Sequence, residues 1–166
     1  RYQPLERIGE GGMSTVYKAR DLNLDRLVAL KLLTPVRSQE PTALARFKQE
    51  AVAISRLEHN NIVRVIDYGV DDKLGSAPQP YLVMDLIQGQ SLAQILKSDK
   101  PQSLDQSLAI FKQTLDALSH AHKMGIVHRD VKPSNIMFTA DDQGKASVHV
   151  VDFGIAKLTR QDQSPT

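Results

Sequence analysis

Between Tyr2 and Leu33 the chain reads as short strand-like runs, in which β-branched and aromatic residues (Ile8, Thr15, Val16, Tyr17, Val28) are separated by a glycine cluster and by Asp21-Leu22-Asn23. This pattern predicts antiparallel hairpins. From Pro41 to Leu57 the period changes. Leu44, Phe47, Ala51, Ile54 and Leu57 fall three or four apart, and Pro41 suits a first helical turn, which predicts one amphipathic helix. Ile62 to Tyr68 and Tyr81 to Leu86 return to strand character on either side of a turn-rich run over 71–80. A helical pattern takes over after Gln88-Gly89-Gln90, so the expected division is a sheet-rich part, 1–87, and a second part, 88–166.

In the second part Ser103-Leu104-Asp105-Gln106 has the form of a capping box, because the Ser oxygen and the Gln side chain can satisfy orphan backbone N–H groups at a helix start. Leu104, Leu108, Phe111, Leu115 and Leu118 continue as an apolar stripe, expected to be the buried face of a long helix that stops at Gly125. Ile136 to Phe138 and Ser147 to Val151 flank Asp141-Asp142-Gln143-Gly144, which predicts a short hairpin.

Composition narrows the class. A chain of 166 residues with 41% hydrophobic content is the size of one domain or two small lobes and can bury a core. With 21 Lys+Arg against 19 Asp+Glu, a net charge of +2 gives no strong footprint for nucleic acid or an anionic membrane. The absence of cysteine removes disulfides, thiolate zinc sites and Cys nucleophiles, and fits a cytoplasmic location. No stretch approaches the roughly 20 apolar residues that span a bilayer. The chain opens with Arg1 and ends in the polar run 160–166, so it is expected to be a fragment of something longer.

Candidate chemistry concentrates in His128-Arg129-Asp130-Val131-Lys132-Pro133-Ser134-Asn135, followed 17 residues after Asn135 by Asp152-Phe153-Gly154. A proton acceptor, a cation and oxygen ligands for a hard metal thus stand on closely spaced loops, a phosphoryl-transfer constellation. Upstream, Gly9-Glu10-Gly11-Gly12-Met13-Ser14-Thr15-Val16 is a turn between strands where backbone N–H groups can approach phosphate, or equally an ordinary hairpin. A dinucleotide fingerprint would need a helix next, yet Thr15-Val16-Tyr17-Lys18-Ala19 continues as strand. Lys31 follows Val28-Ala29-Leu30 on an apolar strand, as a surface lysine with a packed stem would. Glu50 lies near the apolar face of the predicted helix; unless exposed, it wants a cationic partner, for which Lys31 is the candidate. His120 and His122, two apart on a helix, face different ways and read as structural rather than metal-binding.

Taken in order, the glycine turn, Lys31, Glu50, the 128–135 loop and Asp152-Phe153-Gly154 resemble the first part of a eukaryotic-type protein kinase, in the style of the bacterial serine/threonine kinases. The resemblance implies an α+β, protein-kinase-like fold: an antiparallel β-sheet N-lobe with one long helix, then the first part of a mainly helical C-lobe. It implies ATP and Mg²⁺ as cofactors. The ATP site would comprise Ile8, Gly9, Glu10, Gly11, Gly12, Met13, Ser14, Thr15, Val16, Ala29, Lys31, Met84, Asp85, Ile87 and Met137. In it Val16, Ala29 and Met137 would enclose adenine, and Asp85 and Ile87 would offer backbone groups to its edge. Lys31, kept in place by Glu50, would hold phosphates; Asp130 would accept the proton of the substrate hydroxyl, Lys132 would neutralise the transferring group, and Asn135 and Asp152 would bind the metal. Lys132, two positions after Asp130, is the serine/threonine form, so the implied partner is a protein with a Ser or Thr acceptor.

Two departures stand against that pattern. Ser14 occupies the place of the family's third glycine, and the activation segment, its Ala-Pro-Glu motif and the helices beyond are absent from the 166 residues. A missing C-lobe or a partner is therefore expected to cover an exposed apolar face; Arg129 beside Asp130 resembles the family's phosphate-receiving arrangement, and Thr159, Ser164 and Thr166 in the remaining stub are the phosphosite candidates. The rival expectation is a non-catalytic module that binds nucleotide or a partner through a kinase-like lobe.

Overall fold

The structure, a computed structural model, describes residues 1–11, 14–33, 41–71, 78–98, 103–140 and 146–153; within these, the side chains of 41–44, 46, 50 and 140 are not described. Its described residues fall into two units, one drawn from 1–55 and 64–86, the other from 56–63 and 87–153.

The first unit is a five-stranded antiparallel sheet in the order β1-β2-β3-β5-β4, built from β1 (Tyr2–Glu10), β2 (Ser14–Asp21), β3 (Arg26–Leu33), β4 (Val65–Asp71) and β5 (Gln79–Asp85). The helix α1 (Pro41–Ile54) lies against β4 and β5. Strand β3 is central and buried on both faces from Val28 onward, which is why it reads as a continuous apolar run rather than an alternating one. Ala19, Val28, Leu30, Leu32 and Val83 form the core of one face, with Tyr2, Tyr17, Ile66 and Tyr81 packed against it. Strand β1 is an edge and carries two register shifts, between Pro4 and Glu6 and between Arg7 and Gly9. Edge strands tolerate both a proline and such bulges. At the start of β1, Arg1 reaches the buried Asp21 at 3.2 Å and Asp67 at 3.1 Å, which ties β1 to the end of β2 and to β4.

On α1 Phe47, Ala51 and Ile54 are buried, as the predicted periodicity requires, and Leu57, just beyond the helix, is buried too. The strand expected from Ile62 begins only at Val65. Ile62 instead bridges in parallel to Val150, and Val63 N–H donates to Val150 O at 3.0 Å, so these two apolar residues serve the second unit.

That unit contains β6 (Gln90–Ser91), α2 (Leu92–Leu96), α3 (Leu104–Lys123), a 3₁₀ turn (Pro133–Asn135), β7 (Ile136–Ala140) and β8 (Ala146–Val150), with a sheet in the order β6-β7-β8. Both reciprocal bonds of the capping box at Ser103 and Gln106 are made, and an unforeseen second box joins Ser91 and Gln94 at α2. Helix α3 ends as expected. Gly125 adopts φ 75°, its N–H donates to His122 O and the Ile126 N–H donates to Ala121 O, both at 2.9 Å. This is the left-handed glycine stop that satisfies the last carbonyls of a helix.

The facing of α3 corrects the sequence reading. Leu104, Leu108, Phe111 and Leu115 are 57–74% exposed, Leu118 is half-buried, and the buried side is made by Thr114, Ala117 and Ala121. Small residues let α3 approach β8 closely, whereas the leucine stripe, although correctly periodic, faces outward within this chain. Among the described residues no helix is long and apolar enough to cross a membrane.

Candidate active site

The stop at Gly125 delivers the chain to His128, which is 1% exposed and lies 4.5 Å, centroid to centroid, from the ring of Phe153. Its Nε2 is 3.0 Å from Val151 O, and its Nδ1 receives the Asp130 N–H at 3.3 Å. A carbonyl cannot donate, so Nε2 carries the proton and Nδ1 is the acceptor, the neutral tautomer. Burial pushes the His128 pKa down, in agreement with that assignment. His128 therefore acts as a rigid strut between two loops.

Arg129 is turned to φ 60°, and the Asp130 N–H also donates to His128 O at 2.8 Å. A left-handed non-glycine residue costs about 1–3 kcal/mol and persists only where its surroundings over-determine it. Here they do. The Asp130 carboxylate meets Lys132 Nζ at 2.9 Å and Asn135 Nδ2 at 3.3 Å, and the same Nδ2 donates to Asp130 O at 2.9 Å. Asn135 is 5% exposed and ends the 3₁₀ turn, where its own N–H donates to Lys132 O at 2.9 Å. One buried amide thus holds both the backbone and the carboxylate of Asp130, whose side chain keeps 20% exposure. A carboxylate fixed in this way beside an ammonium group can accept a proton from a hydroxyl while the cation balances a nearby anion.

Asp152 follows β8 at φ 63°. The residue before it is pinned on both sides, because Val151 N–H donates to Asn135 O at 2.9 Å and Val151 O meets His128. With both contacts of Asn135 Nδ2 made to Asp130, the orientation of the amide is fixed and Oδ1 is left as an oxygen donor beside the Ser134 hydroxyl at 3.5 Å. A carboxamide oxygen and a carboxylate are hard ligands, so the donor chemistry of Asn135 and Asp152 fits Mg²⁺.

The first unit carries the other predicted residues. Gly9 pairs with Val16 and Glu10 with Thr15, and Gly11 N–H donates to Ser14 O at 2.9 Å, closing the turn. Ile8 is exposed, and Glu10 forms an exposed ion pair with Arg7 at 2.9 Å. Lys31 is 6% exposed on β3, opposite Val16 on β2 and Leu82 on β5. Ala29 stands opposite Met84, and both are buried. Asp85 N–H donates to Arg64 O at 3.0 Å, and its carboxylate meets Arg64 Nε at 3.2 Å. Met137 lies on β7 in the second unit, paired with Ser91 and His149. Gly12, Met13, Gly154, Thr159, Ser164 and Thr166 lie outside the described residues, as does the Glu50 side chain, although Glu50 is within α1.

The model of the protein kinase domain matches residues 2–166, and the chain belongs to that family. It is 42% identical over 159 residues to the serine/threonine-protein kinase pkn3 of Myxococcus xanthus, covering 96% of this chain and 28% of that protein. It is 39% identical over 166 residues to PknB of Mycobacterium leprae, covering 100% and 26% respectively. The chain therefore spans less than a third of the length of these relatives. Among solved structures it resembles the PknI kinase domain of Mycobacterium tuberculosis with a TM-score of 0.75 at 30% identity, over 93% of this chain and 60% of that one. It also resembles Rad53 1–466, solved in complex with AMP-PNP, with a TM-score of 0.79 at 27% identity, over 94% and 39%. The protein-kinase-like α+β fold read from the motifs is thereby established.

Proposed function

We propose that this chain is the nucleotide-handling part of a serine/threonine protein kinase, which transfers the terminal phosphoryl group of ATP to a Ser or Thr hydroxyl of a protein. The observation that carries the reading is the Asp130 carboxylate, oriented by Asn135 Nδ2 and set 2.9 Å from Lys132 Nζ. In this reading Asp130 orients the acceptor hydroxyl and takes its proton, and Lys132 balances charge on the transferring group. Asn135 and Asp152 hold Mg²⁺, which neutralises phosphate charge when bound. Gly9, Gly11 and Ser14 frame a turn over the phosphates, and Lys31 contacts them, with Glu50 as its partner on α1. In the first unit adenine packs on Val16 and Ala29, and the serine/threonine preference is supported by Lys132 and by the names of the relatives.

The test uses the full gene product. Mg-ATP binding and phosphate transfer are measured for wild type and for Asp130→Asn. Transfer is expected to fall by about 10²–10⁴, the usual share of a positioned proton acceptor, with nucleotide binding almost unchanged. Equal transfer by both proteins would remove Asp130 from its role. Wild-type binding without any transfer would leave the non-catalytic module as the better account.

A further inference from the structure

Strand β8 is the outer strand of its sheet, so one side of its backbone has no strand partner within the order β6-β7-β8. Side chains and a passing loop take that place. From α3, Gln113 Oε1 accepts the Val148 N–H at 3.0 Å and Gln113 Nε2 donates to Ala146 O at 3.5 Å. A single carboxamide thus meets the strand edge with both acceptor and donor, as a neighbouring backbone would. From the 56–63 segment, Asn61 Nδ2 donates to Val148 O at 2.7 Å and to Gln113 Oε1 at 2.9 Å, while Asn61 O accepts the Val150 N–H at 2.8 Å. The edge is therefore matched at Ala146, Val148 and Val150, the alternate residues whose backbone groups point one way.

Two residues beyond this clamp stands Asp152. Strand β8 has only five residues, and Val148 and Val150 are buried, so an unmatched edge would leave polar backbone groups without partners. We infer that Asn61 and Gln113 are positioning residues for Asp152: their paired amides act as a surrogate strand that locks the register of β8, and with it the place of the Asp152 carboxylate. This rests on the proposed function, in which Asp152 and Asn135 hold Mg²⁺. Neither amide is among the residues proposed to hold the nucleotide, the metal or the acceptor. They act through the backbone of 146–151, as supporting groups act on metal ligands elsewhere.

The experiment measures binding of a non-hydrolysable ATP analogue by the full-length protein, with and without Mg²⁺, together with amide exchange at Val148 and Val150. Gln113→Leu removes its two polar contacts with β8 and the one with Asn61 at similar size, and Asn61→Ala removes the bridging donor. Each is expected to raise the Mg²⁺ concentration for half-maximal analogue binding by about 10-fold or more, the usual scale for such supporting groups, and to leave metal-free binding unchanged; Gln113→Leu, which removes the acceptor of the Val148 N–H, is also expected to speed exchange there. The double variant is expected to be no worse than about 2-fold beyond the weaker single variant, because both act on one strand edge. Undiminished Mg²⁺ response in both single variants, or losses that multiply in the double variant, would overturn the inference and leave the proposed function intact. Wild type without any Mg²⁺ response would overturn both. If Gln113→Leu does not fold, Asn61→Ala carries the test alone, and an unchanged Mg²⁺ response in that variant would refute the clamp.

Discussion

Strand β3 and the 128–135 loop both present a polar residue from a buried setting, and they do so by opposite means. Lys31 is held by a register: the ladders to β2 and β5 and the apolar neighbours of β3 would carry any residue at that position to the same place. Asp130 is held by side chains. His128, Lys132 and Asn135 each contact it by a specific atom, and the backbone around it includes a left-handed residue that no ladder enforces. A sheet distributes the work of placement over many small contacts, whereas the loop concentrates it in a few groups, so the two should fail differently when altered.

The largest stability effect should therefore come from the sheet. Leu30→Ala opens a cavity in the core it shares with Val28, Leu32 and Val83, and is expected to lower unfolding free energy by about 2–5 kcal/mol. Asp130→Asn, by contrast, keeps the shape of the loop and is expected to change stability by no more than about 1 kcal/mol while transfer collapses. Urea unfolding of both variants checks the contrast. A Leu30→Ala protein as stable as wild type would mean that the sheet is not the stabilising element assigned here.

The same contrast explains what the sequence could and could not reveal. Hairpins, the first helix, the Ser103 capping box and the glycine stop were legible because each depends on neighbours within a few residues. So was the clustering of Asp130, Lys132 and Asn135, which are five positions apart at most. The facing of α3 was not legible. Leucine periodicity signals an amphipathic helix but not which partner buries it, and here Thr114, Ala117 and Ala121 take the inner side because small residues permit close approach to β8. The diversion of Ile62 and Val63 to Val150 was equally hidden, since a strand-like run says nothing about which strand it will meet. Asn61 and Gln113 carry no local signal at all, being 52 residues apart and joined only by the fold.

A smaller effect tests whether scaffold and chemistry are separable within the second unit. Ser103 accepts the Gln106 N–H at 3.2 Å at the far end of α3 from His128. Ser103→Ala is expected to lower stability by about 1 kcal/mol, the usual loss for an N-cap, with transfer unchanged. Thermal unfolding and a transfer assay on the same preparation would decide it. A loss of transfer without a loss of stability would show that the start of α3 communicates with the loop, and the separation drawn above would have to be abandoned.

The last contrast is silent at neutral pH and emerges only in acid. The first unit's Asp21, its carboxyl held below the usual range by the Arg1 guanidinium, begins to respond only when pH falls below the ordinary carboxylate value of 3.8, where the stabilisation it provides is lost as it protonates. His128 responds earlier. Its folded pKa lies below the ordinary 6.5 because burial disfavours the imidazolium, an effect that the Val151 carbonyl and the charges of Asp130 and Asp152 only partly offset. Above that ordinary value neither state binds the proton. As pH falls past it the unfolded chain protonates first, so unfolding free energy declines down to the folded pKa. His149, lowered by burial as well and 3.1 Å from Thr139 Oγ1, acts in the same direction. Urea unfolding from about pH 7.5 to about pH 5 should show a positive slope of stability with pH in wild type, a shallower one in His128→Phe, and the shallowest when His149→Gln is added. An unchanged slope in His128→Phe would mean that the ring between the two loops is not held neutral by its burial.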